Sequence, residues 1–65
     1  MKRSEREKWE INITNLAAEI IEAGRKDIVD STFKKYEATG FWNLNPSYYW
    51  NVFDELDIVA NELRE

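Results

Sequence analysis

The chain of 65 residues contains no cysteine and no histidine. Disulfides are therefore excluded, and so are zinc sites built from thiolates and imidazoles. Without these two residue types the common nucleophile–base pairs of hydrolytic enzymes cannot be built. We therefore predict that the protein is not an enzyme and that it binds neither a metal nor a cofactor.

Glycine and proline are scarce, with two glycines and one proline in the chain, too few for a fold built from many tight hairpins. Apolar residues make up 43% and charged residues 34% of the sequence, which is typical of folded helical proteins. No apolar run approaches the roughly 20 residues that span a membrane. The N-terminal segment MKRSEREKWE lacks the apolar stretch of a secretory signal. These features predict a single cytoplasmic domain over residues 1–65, with no membrane segment.

The net charge of −4 is unevenly distributed. Residues 1–8 carry four basic and two acidic side chains, whereas residues 46–65 carry one basic and five acidic side chains. An acidic chain repels polyphosphate, so nucleic acid is an unfavourable partner. Two nucleic-acid-related alternatives stay open: weak binding through the basic N-terminal arm, and inhibition of a DNA-binding protein by an acidic surface that imitates DNA.

The first segment shows helical periodicity, with apolar residues every three or four positions: Trp9, Ile13, Leu16, Ile20 and Ala23. Ser4 and Glu7 form a capping-box pattern at its start, and Gly24 can supply the left-handed residue that ends a helix. The spacing predicts a helix over residues 4–23. Ile11 falls nearly opposite this stripe, towards solvent or a partner.

The second segment has a shorter apolar face, formed by Ile28, Val29, Phe33 and Tyr36. Asp27 is the expected N-cap, and Asp30 lies in the first turn, where a negative charge is favoured. Gly40 is the expected terminator. These signals predict a second helix over residues 27–39.

The third segment begins with a strong start signal, because Asn45 can cap the helix and Pro46 suits its first position. Its apolar face is formed by Tyr49, Val52, Phe53, Leu56, Val59, Ala60 and Leu63. We predict a helix over residues 46–64, and hence an all-α three-helix bundle with short connections and antiparallel sequential helices. The expected buried residues are Trp9, Ile13, Leu16, Ile20, Phe33, Tyr49, Phe53 and Leu56.

The aromatic residues are more numerous than this core requires, and six of the nine lie between Phe41 and Phe53. Trp50 lies off the apolar face of its helix, so it must be exposed, covered by the N-terminal arm, or buried against another molecule. Trp42 either plugs the end of the bundle or contributes to a surface. Tryptophan and tyrosine are enriched at interface hot spots.

These considerations predict a protein-protein interaction or regulatory module rather than a catalyst. The predicted partner-binding residues are Trp42, Trp50, Asp54, Asp57 and Ile58, an aromatic surface with an acidic rim. The partner is another protein or a second copy of the chain in a homodimer. The acids Asp54 and Asp57, grouped with Glu55, could in principle form a catalytic pair, but a solvent-facing cluster explains them better.

Overall fold

The computed structural model describes residues 3–64, and the side chains of residues 5–64. The protein is an all-α three-helix bundle, as predicted, and the described part contains no strand. Its elements in chain order are helix α1 (Arg3–Glu22), helix α2 (Lys26–Lys35), 3₁₀ turns at Phe41–Asn43 and Pro46–Tyr48, and helix α3 (Tyr49–Arg64).

Helices α1 and α3 run in the same direction and form the largest contact in the bundle. Near their N-terminal ends the Trp9 ring lies against Tyr49 and Phe53, with centroids 6.4 and 5.8 Å apart. Near their C-terminal ends the Arg64 guanidinium donates to both carboxylate oxygens of Glu19, at 2.9 and 2.7 Å. Helix α2 follows α1 after a short turn and packs against both longer helices.

The core is built from side chains of all three helices and of the segment between α2 and α3. Its buried apolar members are Ile13, Leu16, Ala17, Ile20, Val29, Phe33, Ala38, Phe41, Leu44, Tyr49, Val52, Leu56 and Ala60. Six of the eight side chains predicted to be buried are among them. Trp9 and Phe53 are only half-buried, because they meet edge to face at the rim of the α1–α3 contact. Leu63, predicted on the core face, is 38% exposed in the last turn of α3.

Two helices end in the same way, in a Schellman motif. At the end of α1 the Arg25 N–H donates to Ile20 O at 3.1 Å, and Gly24 takes the left-handed conformation with a φ of 82°. At the end of α2 the Ala38 N–H donates to Phe33 O at 3.0 Å. The left-handed residue there is Glu37, with a φ of 59°.

The prediction that Gly40 ends the second helix is therefore wrong. Helix α2 stops at Lys35, four residues short of the predicted end, and Gly40 has an extended backbone with φ and ψ of −176° and −178°. The early stop is stabilised by burial of Ala38, which follows the left-handed residue and is only 4% exposed. A hydrophobic contact of this kind accompanies many Schellman motifs.

The predicted capping residue at the start of the third helix is confirmed, but α3 itself begins at Tyr49, three residues after the predicted start. The Asn45 side chain accepts the Ser47 N–H at 3.0 Å, and Pro46 occupies the first position of a 3₁₀ turn that leads directly into α3. Asp27, in contrast, does not cap α2. It lies in the first turn and forms an ion pair with Arg25 at 3.4 Å. The predicted capping role of Ser4 falls outside the side chains that the structure describes.

The segment between α2 and α3 completes the wall of the core that the short α2 leaves open. Ala38, Phe41 and Leu44 are all buried. The Phe41 ring stacks on Tyr49 with centroids 4.8 Å apart and an interplanar angle of 22°. An irregular segment thus contributes core residues at the end of the bundle where α3 begins.

Candidate functional site

Large apolar side chains remain exposed on α3 and on the segment before it. Trp42 is 75% exposed, Trp50 60% and Ile58 51%. Of the three placements that the sequence left for Trp50, exposure is the one observed within the chain. The residues that could cover Trp50 from the N-terminal arm are Trp9 and Met1. Trp9 packs instead against Tyr49 and Phe53, and Met1 lies outside the described residues.

The outward row of α3 alternates apolar and acidic side chains. Trp50, Asp54 and Ile58 follow one another at intervals of four residues, which places them along the same side of a helix. The two apolar ends are eight residues apart, or about 12 Å along the axis at 1.5 Å per residue. Asp54 therefore lies between two apolar anchors, and the surface consists of two contact points with an acid between them.

Asp57 borders this row on the side of α1. The pKa of Arg64 is raised mainly by the hydrogen bond to Glu19 and by the charge of Glu19, and the charge of Asp57 raises it further. Arg64 also donates to the side chain of Asn61 at 2.8 Å. Both Asp54 and Asp57 are partly exposed, so their carboxylates border the exposed row of α3.

Trp42 does not plug the end of the bundle, because its neighbour Phe41 takes the buried position. The Trp42 indole lies against Gly40: a Cβ atom there would be 3.1 Å from Cδ1 and 3.3 Å from Nε1 of the ring. Asn43 braces the same turn, since its Oδ1 atom accepts the N–H groups of Thr39 and Gly40 at 3.0 and 3.4 Å. The indole is thus exposed on a turn that is held by side-chain hydrogen bonds.

A hydrogen-bonded cluster that the sequence did not indicate joins the end of α2 to the middle of α3. Lys35 donates to Glu55 at 2.5 Å, and the Tyr36 hydroxyl donates to the other oxygen of the same carboxylate. The Tyr36 ring also packs against Tyr48, with centroids 5.0 Å apart. The grouping of Glu55 with the solvent-facing acids was therefore wrong.

The ionisation of this cluster follows from its contacts. Burial raises the pKa of Glu55, but the hydrogen bonds from Lys35 and Tyr36 and the charge of Lys35 outweigh it, so the pKa lies below its ordinary value. The hydrogen bond to Glu55 and burial raise the pKa of Tyr36, and the charge of Asp54 adds to this effect. The cluster therefore holds a carboxylate and a neutral phenol together over a wide pH range.

Two surface depressions lie in the described part of the chain. One is lined by Glu5, Lys8, Trp9 and Asn12 and another by Asp30, Lys34, Ala38 and Thr39. Each contains a single carboxylate, whereas general acid and base chemistry of the glycosidase type needs two across a cleft. Among the described residues no group of three or more acidic side chains is placed to hold a metal ion.

No family model, curated protein or solved structure matches this chain. None of the helices in the described part is both long and apolar enough to cross a membrane.

Proposed function

We propose that the protein is a cytoplasmic, non-enzymatic interaction module that binds another protein through the outward row of α3. The observation that carries this proposal is the 60% exposure of Trp50 on a helix whose other side buries Val52 and Leu56 completely. Tryptophan is among the residues most enriched in interface hot spots. Asp54 and Asp57 supply the polar rim that surrounds such anchors.

The row also indicates the chemistry of the partner. Trp50 and Ile58 are two apolar contact points about 12 Å apart along the helix, and Asp54 lies between them. A complementary surface would present a lysine or arginine flanked by two apolar pockets. The negative charge of residues 46–65, with five acidic side chains against one basic, would favour encounter with such a basic surface.

Trp42 is proposed as a second anchor. Its indole lies against Gly40, and the Asn43 side chain holds the backbone of the same turn through the N–H groups of Thr39 and Gly40. A turn that is ordered before binding loses less conformational entropy when a partner covers the ring it presents.

The test is site-specific photo-crosslinking in cells that express the protein naturally. A photoreactive phenylalanine analogue replaces Ile58, and a matched variant carries it at Lys34, an exposed position on α2. We expect a discrete crosslinked protein from position 58 and none from position 34. Trp50→Ala, combined with the probe at position 58, should reduce the crosslink about 30-fold, as expected for a hot spot worth about 2 kcal/mol.

The stability of Trp50→Ala decides whether this result concerns binding. Substitutions at exposed positions usually change the free energy of unfolding by about 0.5 kcal/mol or less, so the isolated variant should melt close to the parent. A strongly destabilised variant would show that Trp50 is part of the core. Equal crosslinking from positions 34 and 58 would contradict the assignment of the surface to α3.

A further inference from the structure

Helix α1 carries an exposed row of uncharged side chains on the side opposite the core, which we call the outer stripe. Ile11, Thr14, Ala18 and Ile21 recur at spacings of three, four and three, and all four are exposed. The two isoleucines are 59% and 41% exposed. At 100° per residue this outer stripe is centred about 140° from the buried row of Ile13, Leu16 and Ile20.

Three of the four residues of the outer stripe lie in a part of the helix without charge, and Ile21 follows that part. Residues 11–18, INITNLAA, contain no acidic or basic side chain, although 34% of the whole chain is charged. Solvated helix faces usually carry charged residues, and depletion of charge is a mark of the buried centre of interfaces. The outer stripe therefore has the composition of a contact face.

The spacing of the stripe fits another helix of the same kind. Alternating steps of three and four residues are the a and d positions of a heptad, which pack against an equivalent row on a second helix. A face that packs on its own copy about a two-fold axis is self-complementary. Turning one α1 antiparallel to the other sets Ile11 against Ile21 of the second copy and Thr14 against Ala18 of the second copy.

The charges beside the stripe select this antiparallel arrangement. Lys8 and Glu22 flank the same edge of the stripe, 14 residues apart at equivalent heptad positions, and both are exposed. With the helices antiparallel, Lys8 faces Glu22 of the second copy, and the two-fold axis produces this pair twice. A parallel arrangement places Glu10 beside Asn15 and Glu22 beside Ala17 of the second copy, with no pair of opposite charges. Charge pairs at such flanking positions set the orientation of paired helices.

We propose that two copies of this chain associate through their outer stripes, with the two α1 helices packed antiparallel. This surface is separate from the outward row of α3, so self-association leaves Trp50 and Ile58 accessible. The outer stripe spans only about three helical turns. An interface of that extent belongs to the small, transient class, so the dimer forms reversibly at high protein concentration.

The first test is sedimentation velocity of the full chain from about 10⁻⁵ to 10⁻³ M, a range suited to weak association. We expect the sedimentation coefficient of the parent to rise towards that of a dimer. Ile11→Lys, which buries a charge in the stripe, should raise the dissociation constant at least about tenfold. The matched control Ile58→Lys places the same change on α3 and should leave the dissociation constant unchanged. Helical circular dichroism of both variants checks that they remain folded.

The second test exploits the charge pairs. Lys8→Glu alone and Glu22→Lys alone each set like charges against one another twice, and each should weaken the dimer about three- to tenfold. The double variant Lys8→Glu/Glu22→Lys restores both pairs and should recover the parental affinity. An equimolar mixture of the two single variants should form a heterodimer more strongly than either variant forms a homodimer.

Each alternative outcome contradicts the proposal at a defined step. A parent that stays monomeric throughout the concentration range would refute the dimer. Association that survives Ile11→Lys but is lost in Ile58→Lys would assign self-association to α3 instead. The antiparallel arrangement would be refuted if Ile11→Lys abolishes the dimer but Lys8→Glu/Glu22→Lys binds no more tightly than Lys8→Glu or Glu22→Lys alone.

Discussion

Glu37 is the residue whose replacement tests the described fold most directly. It ends α2 in the left-handed conformation, with a φ of 59°, at the position where Gly24 ends α1 with a φ of 82°. Left-handed backbone is strained for residues with a Cβ atom and free of strain for glycine. Replacing Glu37 by glycine should therefore stabilise the protein.

The size of the effect follows from two opposing contributions. The left-handed conformation costs an L-residue about 1–2 kcal/mol. Glycine avoids that cost but loses about 0.4–1 kcal/mol because it has more freedom in the unfolded chain. The net gain for Glu37→Gly is about 0.5–1 kcal/mol. In a chain of this length that gain raises the melting temperature by about 4–7 °C.

Thermal and urea unfolding followed by circular dichroism measure this change, and two controls isolate its cause. Glu37→Ala removes an unfavourable negative charge from the C-terminal end of α2, which should stabilise the protein by about 0.3 kcal/mol. It keeps a Cβ atom, so the strain of the left-handed backbone remains. Gly24→Ala is the converse change, at a site where an added Cβ meets no atom within 4 Å, and it should cost about 1 kcal/mol through the backbone alone. If Glu37→Gly melts no higher than Glu37→Ala, then residue 37 is not left-handed in solution and the described end of α2 is wrong.

Three further predictions concern the Glu55 cluster, the rim of the core and nucleic acid. Because folding lowers the pKa of Glu55 from its ordinary value of 4.5, the contribution of Glu55 to stability is complete above that pH and is lost as the pH falls. The urea midpoint of Glu55→Gln should therefore depend less on pH in this acidic range than the midpoint of the parent. An equal pH dependence of the two midpoints would contradict the pairing of Glu55 with Lys35 and Tyr36. Phe53→Ala should cost about 2–3 kcal/mol in urea unfolding, less than the 3–5 kcal/mol typical of a fully buried phenylalanine, because Phe53 is half-buried against Trp9; a variant as stable as the parent would remove Phe53 from the core. Affinity for duplex DNA at physiological salt should be no better than the non-specific range of about 10⁻⁴–10⁻⁶ M, and submicromolar binding in fluorescence anisotropy that is lost on removing residues 1–8 would favour the nucleic-acid alternative.

The features that could be predicted from the sequence are those whose physical cause is local. The Asn45 side chain caps a turn that begins at the next residue, and Pro46 has a backbone angle suited to that turn. Gly24 follows directly on Ala23, the last residue of the predicted first helix. The burial of Ile13 and Ile20 follows from helical spacing, so these two core positions could be predicted from the sequence.

The features that could not be predicted have two causes. One is contact between residues that are far apart in the sequence, and the other is a backbone conformation that is unfavourable for the residue type. Glu37 has no intrinsic tendency to be left-handed; it is placed there because Ala38 is buried once the helix has stopped. Glu55 joins Lys35 and Tyr36, which lie 20 and 19 residues away. No spacing within a single helix shows that this acid differs from Asp54.

The positions of the two exposed tryptophans have different causes. Helix α2 has 10 residues and α1 has 20, or about 15 Å against about 30 Å of length, so an irregular segment must close half of one wall of the core. In that segment Phe41 is buried and Trp42, the next residue, is exposed. Trp50 is exposed for another reason, because the helical period turns it away from the row of Tyr49, Val52 and Leu56.

The fold thus explains why positions 42 and 50 are exposed, but it does not explain why both are occupied by tryptophan. A small polar side chain would fit either position without exposing apolar surface to water. The use of the largest aromatic side chain at two exposed positions at the same end of the bundle is what supports their assignment to a contact surface.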